Sequence, residues 1–94
     1  MKFKEHTEFM IDFISSFING KTSRYFFDLD YCARVIEHFP YMERENSEIA
    51  ERFADTVDEA YERASASCLS DEEFRIEISK AFDKWLGKKK IDII

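Results

Sequence analysis

Apolar residues recur every three or four positions along most of this 94-residue chain, which is the period of helices that bury one face. This pattern, together with start and stop signals, predicts four helices. The first runs from about Thr7 to Asn19, with Thr7 as its N-cap and Asn19-Gly20 as its stop signal. Its buried row is predicted to consist of Phe9, Met10, Phe13, Ile14, Phe17 and Ile18.

The second predicted helix begins at Thr22 or Ser23 and ends at about His38, because Pro40 disfavours helical geometry at the residue before it. His38 would lie in the last turn, where it suits the helix dipole. The apolar face is wide, so we expect this helix to be central or partly covered on two sides, and the face could also hide a dimer interface. The face comprises Phe26 or Phe27, Tyr31, Val35 and Phe39, with Leu29, Cys32 and Ile36 alongside.

The third predicted helix starts near Asn46 or Ser47 and ends near Ala64. The uncharged segment after it, residues 65–69, has no helical period and is predicted to be a loop. The apolar row of this helix comprises Ile49, Phe53, Val57, Ala60, Tyr61 and Ala64.

The fourth predicted helix opens with a capping box, in which the Ser70 hydroxyl accepts from the Glu73 amide and the Glu73 carboxylate accepts from the Ser70 amide. Gly87 ends this helix. The tail, residues 88–94, is too short for a helix of its own, and it either frays or docks its isoleucines on the other helices. The buried row is predicted as Phe74, Ile78, Phe82 or Ala81, Trp85 and Leu86.

Short connections between successive helices favour antiparallel neighbours. The sequence therefore predicts an all-α fold, an antiparallel four-helix bundle that forms a single domain over residues 1–94. Ten Phe, four Tyr and one Trp supply large side chains for the core, while two Gly and one Pro leave few residues for turns.

The chain has 20 acidic and 14 basic residues, a formal net charge of −6. Such a surface repels nucleic acid and anionic membranes and suits a basic protein partner, although the same charge also serves ordinary solubility. Asp12 interrupts the only long apolar stretch near the N-terminus, so we expect no signal peptide, no membrane span and a cytoplasmic location. Cys32 and Cys68 are then expected to be free thiols that pack as small hydrophobic residues.

Little in the sequence points to catalysis. His6 and His38 have no Cys, Asp or Glu at a recognised metal-ligand spacing, and His6 with Cys32 and Cys68 matches no known ligand pattern. The sequence contains neither a glycine-rich phosphate loop nor a nucleophile elbow. We therefore expect no enzyme activity, no catalytic residue, no metal and no cofactor.

The outstanding charged feature is the run from Glu43 to Glu62, where eight acids and two arginines make the segment as negative as the whole chain. Like charges three or four residues apart on a helix cost roughly 0.2–0.5 kcal/mol per pair. We interpret these acids as a docking surface for Arg and Lys, against the alternative of a solvated face balanced by Arg52 and Arg63. This acidic ridge comprises Glu48, Glu51, Asp55, Asp58, Glu59 and Glu62, with Asp28 and Asp30 as secondary contacts.

Several local motifs occur in the order and spacing of one family. Residues 13–23, Phe-Ile-Ser-Ser-Phe-Ile-Asn-Gly-Lys-Thr-Ser, resemble the opening helix and Phe-Ile-x-Gly-Lys-Ile-Ser of colicin D-like immunity proteins. Phe27-Asp28-x-x-Tyr31 is similar to their Phe-Glu-x-x-Tyr. Residues 69–75, Leu-Ser-Asp-Glu-Glu-Phe-Arg, are similar to their late Asp-Glu-Glu-x-Leu/Phe-Arg helix start. The agreement covers about residues 9–86.

The resemblance implies a four-helix bundle that binds a cognate nuclease toxin domain, either of a colicin or of a contact-dependent inhibition system. In that family the toxin is a tRNA-cleaving ribonuclease, and the acidic immunity protein covers its basic active-site cleft. The acidic ridge, with Asp28 and Asp30, would contact the toxin. Tyr41 and Tyr61 are candidate aromatic anchors, although Tyr61 lies on a core row and is expected to be packed.

Three alternative functions make different demands on the sequence. A helical adaptor or regulatory subunit with an unrelated basic partner would carry the same charge and is the main alternative. A helix-turn-helix regulator needs a basic recognition helix, and none of the four predicted helices is net basic. A metal-dependent enzyme would need ligands that the sequence does not group.

Overall fold

The computed structural model describes residues 3–87, and every regular element in that range is a helix. The all-α prediction is therefore confirmed for this part of the chain. The tail, residues 88–94, lies outside the described residues. The elements are α1 (Glu5–Ile18), α2 (Arg24–Glu45), α3 (Ser47–Phe53), a π-helical segment (Ala54–Asp58), α4 (Glu59–Ser65) and α5 (Asp71–Leu86).

The chain divides into two compact units between Glu51 and Arg52. The first unit contains α1, α2 and most of α3, and the second contains the π-helical segment, α4 and α5. The single domain and the antiparallel four-helix bundle that the sequence predicts stay predictions.

Aromatic stacking between α1 and α2 holds the first unit together. Phe27 of α2 stacks on Phe13 and Phe17 of α1, with ring centroids 5.3 and 4.1 Å apart, and its ring also contacts Tyr31. Such pairs add about 0.5–1.5 kcal/mol each beyond the burial of their area. Of the two alternatives at the start of α2, Phe27 is buried and Phe26 is exposed. The buried apolar residues of this unit include Met10, Ile14, Phe17, Phe27, Tyr31, Met42 and Ala50.

Helix α1 begins at Glu5, so Thr7 lies inside the helix and the prediction of Thr7 as its N-cap is wrong. Lys4, at the N-cap position, makes no side-chain capping bond. Thr7 is buried, and its hydroxyl donates a hydrogen bond to Glu45 of α2. The prediction failed because the acceptor for the first amides of α1 comes from another helix. The predicted stop is confirmed, since α1 ends at Ile18.

Helix α2 continues through Pro40 to Glu45, so the prediction that it ends before Pro40 is wrong. Proline has no N–H to donate to the carbonyl of Ile36, and it disfavours helical geometry at Phe39. The helix continues because residues beyond the proline make tertiary contacts. Met42 is buried, and Glu45 binds the start of α1. Tertiary packing thus overrides the local signal.

One side of the predicted apolar face of α2 is exposed. Leu29, Cys32 and Ile36 all face solvent, so the prediction that they belong to a covered apolar face of α2 is wrong. With the exposed Tyr25 they follow one another at steps of four, three and four residues, which keeps them on one side of the helix. We name this set the α2 row: Tyr25, Leu29, Cys32 and Ile36.

Helix α3 begins where the sequence predicts. The Oδ1 atom of Asn46 accepts hydrogen bonds from the amides of Glu48 and Ile49, both at 3.1 Å. Asn46 has extended backbone geometry and acts as the N-cap.

The π-helical segment interrupts the predicted third helix, which the apolar spacing does not signal. The hydroxyl of Thr56 donates a hydrogen bond to the carbonyl of Arg52 at 2.6 Å, just before the segment. Segments of this kind are frequent at functional sites. The predicted buried row is nevertheless preserved, since Phe53, Val57, Ala60 and Ala64 are all buried.

Helix α5 has the predicted ends. The Glu73 amide donates to the Ser70 hydroxyl and the Ser70 amide donates to the Glu73 carboxylate, each at 3.1 Å. Gly87 follows the last turn with φ +70°, a left-handed conformation that glycine adopts without steric cost. The predicted loop before α5 is also confirmed. The buried residues of α5 are Phe74, Ile78, Ala81 and Trp85.

Edge-to-face contacts between aromatic rings pack the core of the second unit. Trp85 meets Phe53 with ring centroids 5.0 Å apart, and Tyr61 meets Phe74 at 5.8 Å. Tyr61 is therefore packed, as the sequence pattern indicates.

The capping box should stabilise α5 measurably. Ser70→Ala removes the acceptor for the Glu73 amide, so the free energy of unfolding should fall by about 1 kcal/mol. Urea unfolding followed by circular dichroism measures the change. Ser65→Ala, at an exposed serine in the last turn of α4, is the control and should change it by less than about 0.5 kcal/mol. Equal effects of the two substitutions would contradict the capping role.

Pro40 should lower the stability of the chain. Pro40→Ala restores an N–H for the carbonyl of Ile36, which stabilises the helix. The substitution also gives the unfolded chain more conformational entropy, which offsets part of this gain. We therefore expect the free energy of unfolding to rise by about 1–2 kcal/mol. The same urea experiment measures it. Glu43→Ala, at an exposed position of the same helix, should change it by less than about 0.5 kcal/mol. A less stable Pro40→Ala variant would show that the proline supports α2.

Candidate functional site

The acids of the acidic ridge are shared between the two units. Glu48 and Glu51 lie in the first unit, and the other four lie in the second. The ridge as one continuous surface therefore stays a prediction. The four acids of the second unit follow one another at steps of three, one and three residues on the π-helical segment and α4, so they share a helical face. We name them the second-unit acids: Asp55, Asp58, Glu59 and Glu62.

A cleft of about 400 Å³ lies beside the second-unit acids, between their helical face and α5. Arg63 binds Glu59 at 2.7 Å and approaches Glu77 within 3.8 Å, while Lys80 approaches Glu77 within 3.7 Å. These pairs are largely exposed, so each contributes at most about 1 kcal/mol. The cleft is lined by both signs of charge and therefore does not select an anion or a cation.

The second-unit acids differ in their surroundings. Glu59 is paired with Arg63, so for this residue the alternative of a balanced, solvated face holds. Asp58 is half-buried. Asp55 and Glu62 are exposed, and within residues 3–87 neither forms an ion pair. Two carboxylates of this face are thus available to the cations of a partner.

The acids predicted as contacts on the first unit differ in their exposure and in their ion pairing. Glu48 and Glu51 are exposed on α3. Asp28 accepts from the guanidinium of Arg24 at 3.2 Å, which offsets part of its charge, and Asp30 is half-buried. The structure therefore places these four acids on two different helices of the unit.

Tyr41 is the more accessible of the two candidate aromatic anchors. Its ring is exposed, stacks on the His6 ring with centroids 4.4 Å apart, and lies 5.5 Å from the guanidinium carbon of Arg44. These neighbours fix the orientation of the ring without covering it.

Two histidines that the sequence places at the ends of different helices meet in the first unit. The Nδ1 atoms of His6 and His38 are 2.8 Å apart, so one ring donates and the other accepts a hydrogen bond. His38 is buried inside α2, where its ring stacks on Phe9 at 4.1 Å, so its predicted place in the last turn is wrong. The pair was not foreseen because the sequence predicts that α2 ends too early.

Glu45 connects the end of α2 to the start of α1. Its carboxylate accepts from the amides of His6 and Thr7, at 2.7 and 2.9 Å, and from the Thr7 hydroxyl at 2.8 Å. Burial alone would raise the pKa of Glu45, but these hydrogen bonds lower it below its usual value of 4.5. The stability that Glu45 contributes is therefore present above pH 4.5 and is lost as the pH falls through its folded pKa.

The ionisation of His38 is governed mainly by its burial. Removal from water lowers its pKa below the usual 6.5, the nearby Glu37 carboxylate opposes this, and the charges of His6 and Arg34 reinforce it. The Glu37 carboxylate lies 3.7 Å from the Nε2 atom of His38. The neutral form of His38 is therefore the one that the folded chain favours at neutral pH.

In the part of the chain that the structure describes, no three His, Cys, Asp or Glu side chains gather closely enough to hold a metal ion. None of the helices within residues 3–87 combines the length and the apolar character needed to cross a bilayer. Cys32 and Cys68 are free but exposed, so the expectation that they pack as small hydrophobic residues is wrong.

No protein-family model, no curated protein and no solved structure matches this chain. The resemblance to colicin D-like immunity proteins therefore stays a prediction from sequence motifs.

Stability should fall as the pH drops below 6.5. The unfolded chain protonates His38 near pH 6.5, whereas the folded chain does so only at a lower pH because burial lowers the pKa. The stability contributed by neutral His38 is complete above pH 6.5 and is lost below it, with a slope of at most about 1.4 kcal/mol per pH unit. Urea unfolding at a series of pH values measures the slope.

The variant His38→Gln is the control for this assignment. The variant removes the titrating ring, so the free energy of unfolding should depend less on pH between pH 6.5 and the folded pKa of His38. This holds even if the substitution changes the stability at neutral pH. A slope that survives in His38→Gln would assign the titration to another group.

Proposed function

We propose that this chain is an immunity protein, which binds a cognate nuclease toxin domain and blocks it by covering its basic active-site cleft. The proposal is supported by the ordered motifs that resemble colicin D-like immunity proteins and by the second-unit acids. The proposed inhibition requires only binding, so it needs no catalytic residue in this chain.

The observation that carries the proposal is the pair of exposed carboxylates Asp55 and Glu62, which form no ion pair within residues 3–87. They share a helical face with Asp58 and Glu59. Acids so spaced repel one another by roughly 0.2–0.5 kcal/mol per pair. A basic partner would relieve that repulsion, and carboxylates form charge-assisted hydrogen bonds with Arg and Lys.

The proposed mechanism follows from how ribonucleases hold their substrate. A tRNA-cleaving enzyme must present Lys and Arg to bind phosphates. Carboxylates that occupy these cations exclude the RNA, and long-range attraction between the two proteins speeds their encounter. The toxin would act in the cytoplasm, where tRNA is found, so we propose that the immunity protein works there too. The antiparallel four-helix bundle is the arrangement that we propose for the whole chain.

Charge reversal on the second unit tests the proposal. The probe is the product of the gene directly upstream, purified as a catalytically inactive nuclease domain. For Asp55→Lys with Glu62→Lys, the association rate constant should fall by about 10–100-fold and lose most of its dependence on ionic strength. Surface plasmon resonance at several salt concentrations measures both.

The matched control reverses two exposed acids of α1, Glu8→Lys with Asp12→Lys, and so changes the net charge equally. It should slow association by less than about threefold. Equal slowing by the two double variants would show that net charge, and not this face, guides the encounter. If the upstream product does not bind while an unrelated basic protein co-purifies, the chain is an adaptor and the proposal fails.

A further inference from the structure

The most exposed apolar side chains of the described residues lie on α2. Tyr25, Leu29 and Ile36 of the α2 row are exposed by 68, 62 and 74%, and Cys32 between them is also exposed. Phe26 is exposed beside Tyr25. A solvent-facing helix side normally carries polar residues at these positions. Steps of four, three and four residues are typical of an apolar seam against another protein element.

The α2 row is not needed for the core of its own unit. The opposite side of the same helix supplies Phe27, Tyr31, His38 and Met42, which are all buried. Helix α2 therefore buries one apolar side in the core and leaves a second apolar side exposed to solvent. Contiguous exposed apolar patches rimmed by polar residues mark interaction surfaces.

The charges beside the α2 row indicate the chemistry of its partner. Asp28 is paired with Arg24, and the Asp28 side chain is 38% exposed against 19% for the Arg24 side chain. At the other end of the row, Glu37 is paired with Arg34, and again the acid is the more exposed, 56% against 36%. These two pairs are neutral, but residues 3–51 as a whole carry ten acids against five Lys and Arg. This charge attracts a basic protein, whereas a second copy would bring a charge of the same sign.

We propose that the α2 row is the apolar centre of a surface of the first unit that binds the basic partner, with Asp28 and Glu37 at its rim. The inference rests on the proposed function and names the part of the chain that supplies affinity. Stable interfaces have an apolar, desolvated centre and a polar rim, and aromatic residues such as Tyr dominate their energetics. Exposed acids mainly set the rate of encounter, whereas the apolar centre sets the rate of dissociation.

The two free cysteines offer a direct test in the unaltered protein, because Cys32 belongs to the α2 row and Cys68 lies outside it. Maleimide labelling of each thiol is followed by mass spectrometry, with and without the inactive upstream nuclease domain. The partner should slow labelling of Cys32 by about tenfold or more and leave Cys68 unchanged. Cys68 is thus the internal control for reagent and solvent effects.

A pair of matched substitutions tests the same surface by kinetics. Ile36→Ser lies in the α2 row, and Ile76→Ser makes the same change at an exposed position of α5. Ile36→Ser should raise the dissociation rate constant by about tenfold and leave the salt dependence of association unchanged, whereas Ile76→Ser should alter dissociation by less than about twofold.

The possible results separate this inference from the proposed function. If the wild-type chain binds the upstream domain but Cys32 stays reactive and Ile36→Ser dissociates normally, the inference is overturned and the function stands. If the wild-type chain does not bind, both fall. If Cys32 labelling slows as the concentration of the chain alone rises, and Ile36→Ser abolishes this, a second copy covers the row and the inference is wrong.

Discussion

The start of α1 depends on a carboxylate from the far end of α2. The first amides of a helix have no partners within it, and in α1 the acceptor is Glu45, which binds the amides of His6 and Thr7. Glu45 reaches them only because α2 does not stop at Pro40. The same continuation carries His38 inside the helix, where it meets the His6 ring. The length of α2 and the histidine pair therefore belong to one arrangement, in which a tertiary contact outweighs a local helix breaker.

The exposed side of α2 follows from the packing of the first unit. Helix α1 contacts α2 from Phe27 to Glu45. One narrow helix covers only the side of α2 that faces it, which carries Phe27, Tyr31, His38 and Met42. The α2 row lies on another side and is left to solvent. An apolar pattern read from sequence counts both sides as core, because it records which residues are apolar and not how many neighbours the helix has.

What the sequence could predict was therefore mostly local. The caps at Asn46 and Ser70 depend on atoms within three residues, and their hydrogen bonds are present. The cap of α1 and the histidine pair join residues more than 30 positions apart, so no short pattern contains them. The π-helical segment also escaped prediction, since the buried residues around Val57 keep an α-helical spacing. For the candidate site, the sequence identified the acids but not their pairing, such as Glu59 with Arg63.

The carboxylates and the exposed apolar side chains would have different roles in the selection of a partner. A face of carboxylates such as Asp55 and Glu62 attracts any protein with a basic patch, because electrostatic attraction at a distance does not depend on shape. Discrimination requires contacts that a wrong partner cannot make, and buried apolar side chains provide them because they must be fitted closely to exclude water. The α2 row offers such side chains in a helical geometry whose opposite side is fixed by the core. Acids could then bring many basic proteins near, while only one with a complementary apolar surface would stay bound.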